Sequence, residues 1–329
     1  MAIRDTEERA PRPRLGRDAA LLGGLFVLML LGLAGLAAAT GWEETWAQLR
    51  KLTFGMVLTL LGLSLVNYLF RGLRWHIFAR RLGLPLRFRD NLRHFLGGFA
   101  MSVTPGRVGE LVRMRWIGRE TGWSFEQTAP LVLVDRASDL ASMALLLAGA
   151  LAFSTTGITF GLPVAIGALT AAFIATRPRL LGAIATLGHR ATGRFARLFA
   201  RIRRAARALA RFSSPALFIV TALLGLVGWI AEGLAFHLLL VWMGADIGLA
   251  SAIAIFVFST LAGGLTGAPG GVGGAEAAMV ALLSLQGVGL EASIPATAII
   301  RVTTLWFAIA IGAAVFPFAE KISRRNKLG

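Results

Sequence analysis

The amino-acid sequence predicts an all-α polytopic membrane protein arranged as an inverted repeat. It has about six full transmembrane helices and two oppositely oriented re-entrant hairpins, roughly eight apparent spans. Three observations predict this. The chain of 329 residues is 56% hydrophobic, with a mean hydropathy of +0.70. That is more apolar surface than a soluble fold of this size can bury, and several apolar runs approach or exceed the roughly 20 residues that cross a bilayer. The basic residues are segregated: of 34 Lys and Arg, only Arg50 and Lys51 fall in loops assigned to the outer side, as the positive-inside rule requires. Finally, Pro-Gly-x-Val-Gly followed by a Glu occurs twice inside apolar sequence, at 105–109 and 269–273.

Taken in order, residues 1–18 are polar, Arg-rich and contain Pro11 and Pro13, the composition of a disordered cytoplasmic tail. A single transmembrane domain is expected over 19–320. Its first run, 19–39, follows a long polar leader and reads as a retained helix; the AAAT after it also suits a signal peptide. GWEETWAQLRK (41–51) is a short outer loop with two interfacial Trp. Residues 52–70 cross inward to a basic loop, RGLRWHIFARRLGLPLRFRDNLR. The first broken segment, 91–117, is basic on both flanks, so it enters and leaves on the cytoplasmic side. Residues 127–152 cross outward and 158–176 cross back.

The segment 177–212 holds ten Arg and no acidic residue and is assigned to the cytoplasm. Within it, 189–212 places Phe195, Leu198, Phe199, Ile202, Leu209 and Phe212 at helical spacing. That pattern fits an amphipathic helix lying on anionic lipids, or a solvated linker. Residues 215–243 cross outward. The second broken segment, 250–286, is flanked by Asp246 and Glu291 and by no basic residue, so it enters from outside. Residues 293–318 cross inward to a cytoplasmic tail, 321–329. Repeat one is thus about 52–152 and repeat two about 215–318, each a crossing, a hairpin and a crossing, in opposite orientations. Both termini face the cytoplasm of a bacterial inner membrane. Either broken segment alone also reads as a kinked crossing or as two crossings; the repeated motif favours hairpins, as in many transporters.

The hairpin breaks fall at Pro105, Gly106 and Gly109, and at Pro269, Gly270, Gly271 and Gly273. Irregular backbone at membrane depth is tolerated only inside protein or beside a water-filled cavity. A charge at the bilayer centre costs at least about 2.5–3.5 kcal/mol, so charged residues in apolar segments mark candidate sites. Arg107, Glu110 and Arg113 share one broad helical face after the first break. They form an anion site, with guanidinium forks and free N–H groups, or else snorkel to the interface. Asp135 and Asp139 share a face with Arg136 beside them. Two acids against one Arg form a local ion pair or balance a second cation, such as one from the first hairpin. Glu232 stands alone within an apolar run, and Glu276 and Arg301 are placed to bridge the second hairpin to the last crossing. Arg71, Arg74 and Trp75 sit where a helix meets the cytoplasmic interface, as phosphate ligands or plain anchors. Asn67 reads as a helix–helix hydrogen-bonding residue.

With no Cys there is no disulfide, thiolate nucleophile or thiolate metal site, and four scattered His show no ligand spacing. No metal and no cofactor are expected. The net charge of +17 follows the loop asymmetry and does not imply nucleic-acid binding. Nucleotide loops, HExxH and G-x-S-x-G elbows are absent.

RGLRW (71–75), TPGRVGELVR (104–113), DRASD (135–139), Glu232, APGGVGGAE (268–276) and Arg301 together resemble the flippase-like membrane domain family. That family is best known as the membrane half of lysylphosphatidylglycerol synthases. The resemblance covers residues 20–320, and GGAE departs from the bulkier spacer often found in the second motif. No aminoacyl-transfer domain follows in these 329 residues, so synthase activity is not expected. The resemblance implies lipid translocation, with a membrane phospholipid or isoprenoid-type lipid as substrate. Arg107, Arg113 and Arg301 would compensate headgroup charge, with Glu110, Asp139 and Glu276 holding them and Glu232 or Glu276 exchanging protons; Arg71, Arg74, Asp135 and Arg136 are counted with them among the substrate-binding and translocation residues. The alternatives are an intramembrane enzyme using Asp135, Asp139 or Glu232 as acid or base, or a non-transporting partner of a lipid-modifying enzyme. The oligomeric state is not readable.

Overall fold

A computed structural model describes residues 50–102, 108–153, 161–177, 209–212 and 214–325, with isolated positions outside these. The tail 1–18, nearly all of the first apolar run, Pro105, Gly106 and Arg107, most of the basic segment 189–212 and residues 326–329 lie outside the described residues. Every regular element among the described residues is helical.

Among the described residues, three helices are long and apolar enough to cross a bilayer: α1 (Phe54–Leu82), α6 (Pro215–Trp242) and the continuous Leu290–Arg325, made of α9 (Leu290–Arg301), a π turn (Val302–Trp306) and α10 (Phe307–Arg325). Helix α4 (Phe125–Phe153), at 29 residues, matches α1 in length but carries Asp135, Arg136 and Asp139. Helix α5 (Gly161–Thr176) packs on α4. The remaining helices are shorter than the roughly 20 residues of a typical crossing at 1.5 Å per residue. They are α2 (Phe88–Gly97), extended by a 3₁₀ turn Gly98–Met101, with α3 (Val108–Thr121) packed beside it, and α7 (Leu249–Leu265) with α8 (Gly274–Leu285). These are the two broken segments. In the second, Gly270, Gly271 and Gly273 have φ of 63°, 68° and 87°. A side chain there costs roughly 1–2 kcal/mol per residue, which is why this break is built from glycine.

Between apolar helices in lipid, close backbone approach replaces the hydrophobic drive. Helix α6 lies against α1, α4 and α7 through small residues. A Cβ on Gly228 would sit 3.4 Å from Asn67 Cα, and Asn67 Nδ2 donates to Gly228 O at 3.0 Å. Gly225 leaves room for Ser142 of α4, and Gly233 for Ile253 of α7. The outer faces are as apolar as the interior: Phe54, Leu58, Leu65 and Leu69 on α1, and Phe218, Leu223, Val227 and Ile230 on α6, are all exposed. A helix apolar on every side is one that faces lipid.

The basic loop expected after residue 70 does not exist: α1 continues to Leu82. Tyr68, Arg71, Trp75, Phe78 and Leu82 form one buried stripe at helical spacing. Arg71 and Arg74 therefore lie inside the bundle and not at its edge. The loop expectation weighed the cluster's charge and overlooked the apolar residues interleaved at period 3.6.

The first hairpin is fastened between α1 and α10. At its foot, Glu320 of α10 accepts from Arg115 Nη2 at 2.8 Å, Trp116 Nε1 at 2.8 Å and Arg119 Nη1 at 2.9 Å. Glu120 accepts from Arg93 at 2.8 Å. Burial raises the Glu120 carboxyl, but the His94 hydrogen bond and the charges of His94 and Arg93 outweigh it and hold it below the usual range. Nearer the turn, Gly312 of α10 lies directly against the backbone of Phe99 and Ala100. Gly312→Leu is expected to lift the turn off α10. Leucine gains about 1 kcal/mol of helix propensity but meets backbone that cannot give, for a net loss of about 1–3 kcal/mol. The unfolding midpoint in detergent should fall; an unchanged midpoint would mean that these surfaces do not pack.

Candidate functional site

Both broken segments border one half-open cavity of about 200 Å³. The first hairpin contributes Gly98, Phe99, Ser102 and Arg113; the second contributes Gly264, Gly270 and Gly271. The long helices line the rest, with Tyr68 and Arg71 from α1, Arg136 from α4, Trp229 and Glu232 from α6, and Arg301 and Thr304 from the last helix. A larger apolar pocket of about 750 Å³ lies between α4, α5 and the start of α6. Of the sequence-predicted site residues it holds none, so the chemistry concentrates in the smaller cavity.

Behind the cavity wall is a cluster of three guanidiniums and two carboxylates. Arg71 Nη2 donates to Asp139 Oδ2 at 2.6 Å. Arg74 Nη2 donates to Asp139 Oδ1 at 2.6 Å and to Asp135 Oδ1 at 2.8 Å. Arg136 Nη1 reaches Asp139 at 3.5 Å. Among the described ion pairs, the further cations balancing the two acids come from α1. Arg71 also lies over the Trp229 ring, 5.2 Å from its centre, and donates to Asn67 Oδ1 at 3.4 Å.

Arg113 is seated in aromatic rings, 4.5 Å from the centre of Phe95, 5.3 Å from Trp75 and 5.6 Å from Phe99. Its Nη2 donates to Phe95 O at 2.9 Å. The planar, weakly hydrated guanidinium is suited to such stacking and an ammonium is not. The Arg113 side chain occupies the space a Cβ on Gly98 would fill, which explains the glycine at the turn.

In the second hairpin, Arg301 Nε donates to Glu276 Oε1 at 2.6 Å and Arg301 Nη2 to Gly270 O at 2.9 Å. Glu276 Oε2 accepts from Gly273 N at 2.6 Å. One guanidinium and one carboxylate thus tie both sides of the glycine break to the last helix. Of the two carboxylates considered for proton exchange, Glu276 is fully engaged. Glu232 is 5% exposed and accepts no hydrogen bond among the described residues.

Of the residues the sequence singled out, Arg71, Arg113, Arg136, Glu232, Gly270, Gly271 and Arg301 line the cavity, and Arg74, Asp135, Asp139 and Glu276 stand directly behind it. Arg107, Pro105 and Gly106 lie outside the described residues. Gly109 and Glu110 are in the first turn of α3, their side chains also outside that set. Sequence reasoning missed Tyr68, Trp229 and Thr304, each three positions from a charge it named: Arg71, Glu232 and Arg301. That i, i+3 spacing was the available signal.

The lysylphosphatidylglycerol synthase TM region family matches residues 20–312 of the chain. A UPF0104 membrane protein of Methanothermobacter thermautotrophicus is 25% identical over 330 aligned positions, which cover 92% of this chain and 96% of that protein.

Proposed function

The chain belongs to the lysylphosphatidylglycerol synthase TM region family, and from that premise we propose that it translocates a lipid with a phosphate-bearing or otherwise polar headgroup, as a flippase or scramblase. The observation that carries this reading is the cavity bordered by both broken segments, walled by Arg71, Arg113, Arg136 and Arg301. The headgroup passes between the hairpins while the tails remain in lipid. The guanidiniums compensate its charge, and Asp139 and Glu276 keep them oriented when the site is empty. Held geometry of this kind lowers the cost of receiving a charge.

Asp135 and Asp139, two of the three acids an enzymatic reading would use, are both committed to guanidiniums, which leaves Glu232 alone for that chemistry. The short lengths of α2, α3, α7 and α8 support two re-entrant hairpins. With the opposite charge flanks of the two repeats, they support the six-crossing inverted repeat. The positions of Lys and Arg support cytoplasmic termini in a bacterial inner membrane, with the Arg-rich 189–212 on anionic lipid.

Purified protein in liposomes should speed the transbilayer movement of fluorescent phospholipid, followed by dithionite quenching, at least about tenfold over protein-free vesicles, a lowering of the barrier by roughly 1.4 kcal/mol. No acceleration for any of several phospholipid headgroups would sink the reading.

A further inference from the structure

We propose that the cavity receives a zwitterionic headgroup, with its phosphodiester toward Arg71 and Arg301 and its ammonium against Glu232. This rests on the translocation reading and adds the substrate class.

The anion-receiving half is prepared. Arg71 and Arg301 are each steered by a carboxylate of their own, Asp139 and Glu276, both at 2.6 Å. Beside Arg71, the buried indole N–H of Trp229 has no acceptor. Guanidinium and indole donors together suit phosphate oxygens. The opposite requirement falls on Glu232. It lies in the same wall, 5% exposed, and neither Arg71 nor Arg301 pairs with it. Arg71 and Arg301 act on its charge through space without forming a direct ion pair, so a ligand cation can supply the contact that a buried carboxylate favours. Tyr68, Trp229 and Phe256 share that wall, and aromatic faces beside a carboxylate are the composition that recognises an ammonium group.

A purely anionic headgroup fits this arrangement poorly, because Glu232 would repel it from the space its phosphate needs. Size points the same way. At about 200 Å³, the cavity is below the roughly 300–1,000 Å³ of pockets for drug-sized ligands. It has room for an ethanolamine-sized group.

The test is equilibrium binding by calorimetry on the full chain in detergent, with dihexanoyl phosphatidylethanolamine and dihexanoyl phosphatidylglycerol as probes. Wild-type protein should bind the ethanolamine lipid at least about tenfold more tightly. Glu232→Gln should remove that preference by weakening the ethanolamine lipid alone, and Glu232→Asp should retain part of it. Equal binding of the two lipids by wild-type protein overturns the proposal without any variant. So does an equal loss for both lipids in Glu232→Gln, as expected of a proton carrier or a structural residue. A preserved binding preference in a protein that moves no lipid in liposomes refutes translocation and leaves headgroup recognition standing.

Discussion

Arg74→Met is expected to destabilise the fold by about 3–5 kcal/mol, the cost of leaving one member of a buried ion pair uncompensated. Arg74 is fully buried and bridges Asp135 and Asp139 at 2.8 and 2.6 Å, whereas Arg136 reaches the same two carboxylates at 4.0 and 3.5 Å. Asp139 keeps Arg71 at 2.6 Å, whereas Asp135 is left with Arg136 at 4.0 Å. The loss should therefore fall on Asp135. The double change Arg74→Met with Asp135→Asn should recover most of the stability, since removing both charges of a buried pair is often nearly neutral. Denaturant unfolding in bicelles would measure it. A single variant as stable as wild type, or a double variant no better than the single, would show that the cluster is wetter than its burial implies.

Arg301→Met is expected to slow lipid translocation about a hundredfold, a loss of roughly 2.7 kcal/mol in the rate-limiting step. The residue does two things at once. It presents a guanidinium to the cavity, and it holds Glu276 and Gly270 O, one on each side of the glycine break. Arg301→Lys keeps the charge but loses the fork that reaches both partners, so it should slow the rate about tenfold. Glu276→Gln should fall between lysine and wild type, because Gly273 N keeps an acceptor. The dithionite assay reads all three, with unfolding midpoints checking that each variant is folded. Wild-type rates in Arg301→Met would remove this residue from the site.

The long helices were legible because their apolar runs exceed a bilayer's thickness, and the second break because Pro269-Gly270-Gly271 can hardly continue a helix. The Glu276–Arg301 contact was also readable, as two charges that neither segment could otherwise accommodate. The seating of Arg71 and Arg74 was not. Their burial depends on Asp135 and Asp139, more than sixty positions away in sequence, and composition places arginines at an interface by default. The π turn was hidden for a different reason. It is one additional residue in a hydrogen-bond ladder, stabilised by Tyr68 donating to Thr304 O from another helix, and such a partner leaves no local mark.

That turn separates two attachments. Above it, α9 carries Arg301, which holds the second hairpin; below it, α10 carries Gly312 and Glu320, which hold the first. Tyr68 donates to Thr304 O, a carbonyl that also accepts from Phe307 N within the turn, so α1 is bound at the point where the two halves of this helix meet. Both broken segments are thus fixed to one continuous helix, on either side of its π turn, so a change in the seating of one bears on the mounting of the other.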